Sequence, residues 1–173
     1  MEANVITRAP TPRGRTRPRR ATASELDQVL AGSGVALVAD RRLPGTTVEV
    51  DRIAAGPQGV TVIDTHSVRG KVRVTDGRLL VAGRDRTSIV AELRRAVDVI
   101  RLGLGNRPDV PVAGAICWVE VNGLPLLRTL RVDGVAIARP RPLAEQLRRP
   151  GPVSPTRARS IAELLDARLP AVR

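Results

Sequence analysis

The chain has 173 residues, 42% of them hydrophobic, which is enough for one domain with a real core and too few for two. Aromatic residues make up 1%, a single Trp118 with no Phe or Tyr, and this removes the ring platforms on which single-strand binders stack bases. A net charge of +12 points to polyanionic partners, although Lys71 is the only lysine and an arginine bias of this kind also arises from GC-rich coding without any function.

Cys117 stands alone in the apolar run VPVAGAICWV, so no disulfide framework is available within the chain and a reducing cytoplasm is the expected setting. No apolar stretch approaches the ~20 residues a membrane helix needs. The N-terminal positive charge has no apolar segment behind it, unlike a signal peptide.

In chain order, residues 1–22 are rich in Arg and Pro with almost nothing to bury, and predict a disordered tail. Five of its six arginines, Arg13, Arg15, Arg17, Arg19 and Arg20, form a cluster suited to neutralising phosphates. Ser24 is placed to N-cap a short helix, SELDQVLAG, closed by Gly32. A strand over Val35–Ala39 ends in a Leu-Pro-Gly turn, and TTVEVDRIAAG follows with period two. Val48, Val50 and Arg52 share one face of that strand, and Glu49, Asp51 and Ile53 share the other. After a turn at Pro57-Gln58-Gly59, VTVIDTHSV is a near-continuous apolar strand that becomes polar at Asp64. Asp76-Gly77 marks a hairpin between KVRVT and RLLVAG.

The period changes over 87–104, where Ile89, Val90, Leu93, Ala96, Val97, Ile100 and Leu104 fall on one helical face. Glu92, Arg94, Arg95, Asp98 and Arg101 fall on the outer face. Two further strands, VPVAGAICWVEV and RVDGVAIAR, lead to a short helix after Pro140 and Pro142. Pro150-Gly151-Pro152 reads as a linker, and Ser154-Pro155 starts a last helix with an apolar stripe of Ile161, Leu164, Leu165 and Leu169. The expected divisions are a tail over 1–22, one domain over 23–149, and a linker with a C-terminal helix over 150–173. The order predicts an α/β fold in which an antiparallel meander is joined by a crossover helix to further strands.

Asp51 and Asp64 fall near each other on two strands joined by the turn GPQG. Two converging carboxylates make a hard oxygen site for Mg²⁺ or Mn²⁺, which can polarise a phosphate and acidify an attacking water. Aspartates at strand ends also serve simply as caps and turn formers.

The run LPGTTVEVDRIAAGPQGVTVIDTHSVRGKVRVTDGRLLVAGRDRT resembles the nuclease-related domain (NERD), a branch of the PD-(D/E)xK restriction-endonuclease-like nucleases. The shared pattern is leucine-proline, an Ile-Asp-His-type strand, Gly-Pro-x-Gly-Val, Val-Ile-[Glu/Asp]-x-Lys, then Arg-Gly. It is dense from Leu43 to Arg86, and looser likeness extends it over most of residues 24–149. The resemblance implies a restriction-endonuclease-like mixed sheet and a metal-dependent nucleic-acid phosphodiesterase acting on DNA. Asp51 and Asp64 would be its metal-binding acids, with the Thr65 carbonyl as a further ligand and Mg²⁺ or Mn²⁺ as cofactor. Glu25 is the candidate for the family's upstream helical glutamate, at short spacing.

The departures are specific. His66 stands at the family's lysine, and a neutral imidazole can take a proton from water but stabilises phosphorane charge less well. Arg52 replaces the histidine after the first Asp, the crossover helix has no Gln near Ala96, and Lys71 lies five residues past His66. Arg69 is a further candidate for phosphate contact. An alternative is a catalytically degenerate nucleic-acid-binding or regulatory module on the same scaffold, in which Arg52 or Arg69 pairs with Asp64.

Overall fold

The computed structural model describes residues 19–68 and 70–172, with side chains from Glu25 onward. The elements are α1 (Arg19–Leu30), β1 (Ala36–Arg42), β2 (Glu49–Gly56), β3 (Gly59–Ser67), β4 (Val72–Thr75), β5 (Arg78–Val81), β6 (Arg84–Asp85), α2 (Thr87–Gly103), β7 (Val112–Val119), β8 (Leu130–Val132), β9 (Val135–Ala138), α3 (Pro140–Arg148) and α4 (Pro155–Arg168).

One six-stranded mixed sheet runs β1-β2-β3-β7-β9-β8. The meander β1–β2–β3 is antiparallel, β3 pairs with β7 and β7 with β9 in parallel, and β8 turns back antiparallel on β9. The β3–β7 connection carries α2 and the small antiparallel sheet β4-β5-β6.

Period-two alternation sends side chains of the central strands to two separate cores. Val62, Ile116 and Ile137 meet α2 and α4 on one face, where Leu93, Val97, Ile161 and Leu165 are buried. Ile63, Ala115, Cys117 and Ala136 meet α1 and α3 on the other, against Leu26, Leu30, Leu143 and Leu147. Both faces of the central strands are therefore covered. This explains why β2 is buried from Val50 to Gly56 although its sequence alternates.

Gly59 opens β3 at φ +103, and a Cβ there would lie 2.2 Å from the Pro111 carbonyl oxygen. Only glycine allows this approach, which starts the parallel β3–β7 pairing with Val60 N–H donating to Pro111 O at 2.8 Å.

Three local expectations are corrected. α1 begins at Arg19, so Ser24 lies inside the helix and not at its cap; Arg and Ala are strong helix formers and extend it backwards. RVDGVAIAR is not one strand but the hairpin β8–β9, turned at Asp133-Gly134 with φ values of +46 and +81. Edge strand β1 is longer than expected, and residues near the C-terminus pair with it through Arg42 N–H to Pro170 O and Val172 N–H to Asp40 O, both 2.9 Å. The last helix does begin as expected, with Ser154 Oγ accepting from Arg157 N–H and Pro155 in the first turn. Among the described residues no helix is long and apolar enough to cross a membrane.

Candidate active site

The β2–β3 ladder runs from Gly56↔Gly59 to Arg52↔Ile63, and Asp51 and Asp64 are the next residues beyond it. Here a side chain takes over from the backbone. Asp51 Oδ2 accepts from Thr65 N–H at 2.9 Å and from Thr65 Oγ1 at 2.7 Å, with both residues buried. β3 meanwhile stays paired to β7 through Asp64↔Ile116, Thr65↔Cys117 and His66↔Trp118.

Asp64 is about a quarter exposed, and its Oδ2 lies 2.8 Å from His66 Nε2. The His66 ring stacks on Trp118, with centroids 4.8 Å apart and planes at 27°. Asp64 also lines a cleft of about 480 Å³ between the N-terminal part of β2 and the face of α2, with Glu49, Ile89, Glu92 and Arg95 among its walls. Glu92 and Arg95, placed by periodicity on the outer face of α2, thus border this cleft. Glu49 reaches it too, while its Oε1 accepts from Arg42 Nη2 at 3.2 Å. No motif singled out Glu49 or Glu92; their approach to Asp64 is a product of the helix lying over the mouth of the sheet.

Arg52 points away from Asp64. Its guanidinium forms a bidentate pair with Asp27 on α1, 3.0 Å on each arm, and contacts Asp40 at 3.4 Å. Nη1 also donates to the Asp51 carbonyl at 2.7 Å. Burial works against its charge, but the Asp27 hydrogen bonds and the carboxylates of Asp27, Asp40 and Asp51 hold its pKa above the ordinary guanidinium value. Arg52 is thus excluded as the partner that would quench Asp64.

Glu25 is exposed on α1, close enough to Cys117 for its charge to oppose ionisation of that thiol. Lys71 is exposed and lies against Gly123. Arg13, Arg15, Arg17 and Arg69 lie outside the described residues, as do the side chains of Arg19 and Arg20.

Among the described residues no three His, Cys, Asp or Glu side chains are placed to share one metal ion. The donor chemistry on offer is the two carboxylates of Asp51 and Asp64. Their Oδ2 atoms make the contacts described, and a carboxylate has about four acceptor positions over its two oxygens. Mg²⁺ keeps several waters and is commonly held by one or two carboxylates together with substrate phosphates, so it is compatible with this pair.

The mixed sheet, with its antiparallel meander and crossover helix, is restriction-endonuclease-like. A family model described as nuclease-related domain matches residues 14–119. The chain belongs to this family, and its sheet continues beyond the matched stretch through β8 and β9. Neither a curated protein nor a solved structure matches the chain.

Proposed function

We propose that this protein is a metal-dependent nucleic-acid phosphodiesterase, with DNA as substrate and Asp51, Asp64 and His66 as its reacting groups. The observation that carries the reading is Asp64: it sits at the parting of β2 and β3, lines an open cleft, and holds the only histidine of the chain at 2.8 Å.

Asp51 and Asp64, with the Thr65 carbonyl, would hold Mg²⁺ or Mn²⁺. Such an ion supplies charge stabilisation to a phosphate and lowers the pKa of an attacking water. The chain's own contribution is positional and acid–base. An ionised Asp64 can only accept, so neutral His66 donates from Nε2 and keeps Nδ1 as the basic nitrogen. The carboxylate thereby selects the tautomer that can take a proton from water, as in other carboxylate-oriented imidazoles. Asp51 holds the backbone of Thr65, and so the position of its two neighbours on β3. Arg95 at the cleft wall adds positive charge where a phosphodiester would enter.

A second reading is a catalytically degenerate nucleic-acid-binding module. It is favoured by the absence of three convergent metal-binding side chains among the described residues. Cleavage of supercoiled plasmid with Mg²⁺ or Mn²⁺, with and without chelator, separates the two. Metal-dependent nicking that Asp64→Ala abolishes supports the enzyme. No nicking, with salt-sensitive DNA retention that survives the substitution, supports the binding module.

A further inference from the structure

We propose that a groove between β8 and α3, apart from the Asp64 cleft, binds the sugar–phosphate backbone of a nucleic-acid strand. The inference rests on the reading of the chain as one that acts on nucleic acid, and it adds a contact which that reading does not contain.

The sheet topology places the groove. β3, β7 and β9 are parallel, so their C-terminal ends lie together, and Asp64, His66 and Trp118 belong to that end. β8 is antiparallel to β9, with Leu130 opposite Ile137. Arg128 and Thr129, just before β8, therefore return to the same end of the sheet. β8 is also the edge strand, three strand positions from β3. The groove itself opens on the α3 face, whereas the Asp64 cleft lies under α2 on the opposite face. Arg149 ends α3 beside the β2–β3 turn, where Gln58 donates to its carbonyl at 3.1 Å. A strand touching both places passes around the edge or end of the sheet.

The walls have the chemistry of a phosphate track. A groove of about 240 Å³ is lined by Arg128, Arg131 and Arg149, with Glu145 as its single acid. Arg131 is steadied by donating from Nη1 to the Gly134 carbonyl at 3.0 Å. Arg128 and Arg149 are exposed and form no ion pair with a carboxylate among the described residues. Guanidinium forks match phosphate oxygens in pairs, and two uncommitted forks in one groove favour an extended polyanion over an isolated ion. Leu126 and Leu127, 66% and 85% exposed, stand beside Arg128 and offer apolar contact to sugars and base faces next to those phosphates.

The test is binding of a labelled twelve-nucleotide single-stranded DNA to the full chain, in chelator, across a salt series. The Arg128→Ala/Arg149→Ala double variant should bind about tenfold more weakly, with the slope of log K against log salt reduced by about 1–2. Arg128→Lys/Arg149→Lys should recover the slope, because lysine keeps the charge. Unchanged affinity and slope in the alanine variant would overturn the proposal. So would unchanged strand binding with lost retention on phosphatidylserine–phosphatidylcholine vesicles, which would assign the groove to lipid headgroups. Because the assay needs neither metal nor turnover, absence of plasmid nicking leaves this result standing. Failure here likewise leaves cleavage at Asp64 intact.

Discussion

His66 and Trp118, the only histidine and the only tryptophan of the chain, are cross-strand neighbours on β3 and β7 and stack ring on ring at 4.8 Å. Trp118 is nearly fully buried, with the imidazole covering part of it. His66→Ala should therefore open the indole to water and shift its emission to the red, and an unmoved spectrum would contradict the stack. Trp118→Ala should cost about 3–5 kcal/mol, as for other large buried rings. Trp118→Phe should cost much less, since it keeps a ring and removes an Nε1 donor that is buried without a partner among the described residues.

The two aspartates should separate in stability although both serve the proposed site. Asp51→Ala strands the buried Thr65 N–H and hydroxyl, at about 1–3 kcal/mol for each group left unpaired. Asp64 is partly exposed, and Asp64→Ala should lower the unfolding free energy measured in urea by no more than about 1 kcal/mol. Comparable destabilisation by the two would contradict the assignment of Asp51 as the internal anchor of Thr65.

Arg52 ties α1 to the sheet through Asp27. Arg52→Met should destabilise by about 1–3 kcal/mol, less than for a fully buried pair because Asp27 and Asp40 can rehydrate. Arg52→Lys should recover only part of this, because an ammonium cannot form the bidentate pair. Hydrogen exchange of the α1 amides would locate the loss.

Cys117 faces α1 and α3 with no exposure, and burial, with a smaller contribution from Glu25, pushes its thiol up to about 12. It should resist iodoacetamide at neutral pH in the native protein and react on unfolding in guanidinium. Rapid native labelling would show that α1 opens readily.

Arg157 on α4 hydrogen-bonds Asp109, and this holds the Asp109 carboxyl below the usual carboxylate range. A folded pKa below the unfolded one means that the pair stabilises above the unfolded value and is lost as pH falls through the folded one. The melting-temperature difference between the natural protein and Arg157→Gln should shrink in that acidic window. A difference that grows on acidification would reverse the sign.

Much of this molecule is legible in short windows. The 3.6-residue period of α2, the Ser154-Pro155 helix start and the Asp76-Gly77 hairpin all match the structure, because each depends on neighbours a few residues apart. The same logic was available at Asp133-Gly134, where the dipeptide sits inside an apolar run and is masked by it. The motif around Asp51 and Asp64 carried the family, which the match over residues 14–119 bears out.

The sequence alone determined which residues carry carboxylates and an imidazole, and that they stand near the ends of strands joined by a tight turn. Only the tertiary structure decided how they are used. Where β2 and β3 part, Asp51 turns to Thr65, Arg52 turns to α1, and His66 is held between Asp64 and Trp118. The acids Glu49 and Glu92, 43 positions apart in the chain, line one cleft for the same reason. Side-chain period is a local property, but the partner a buried polar group finds depends on which distant segment the sheet and helices bring against it.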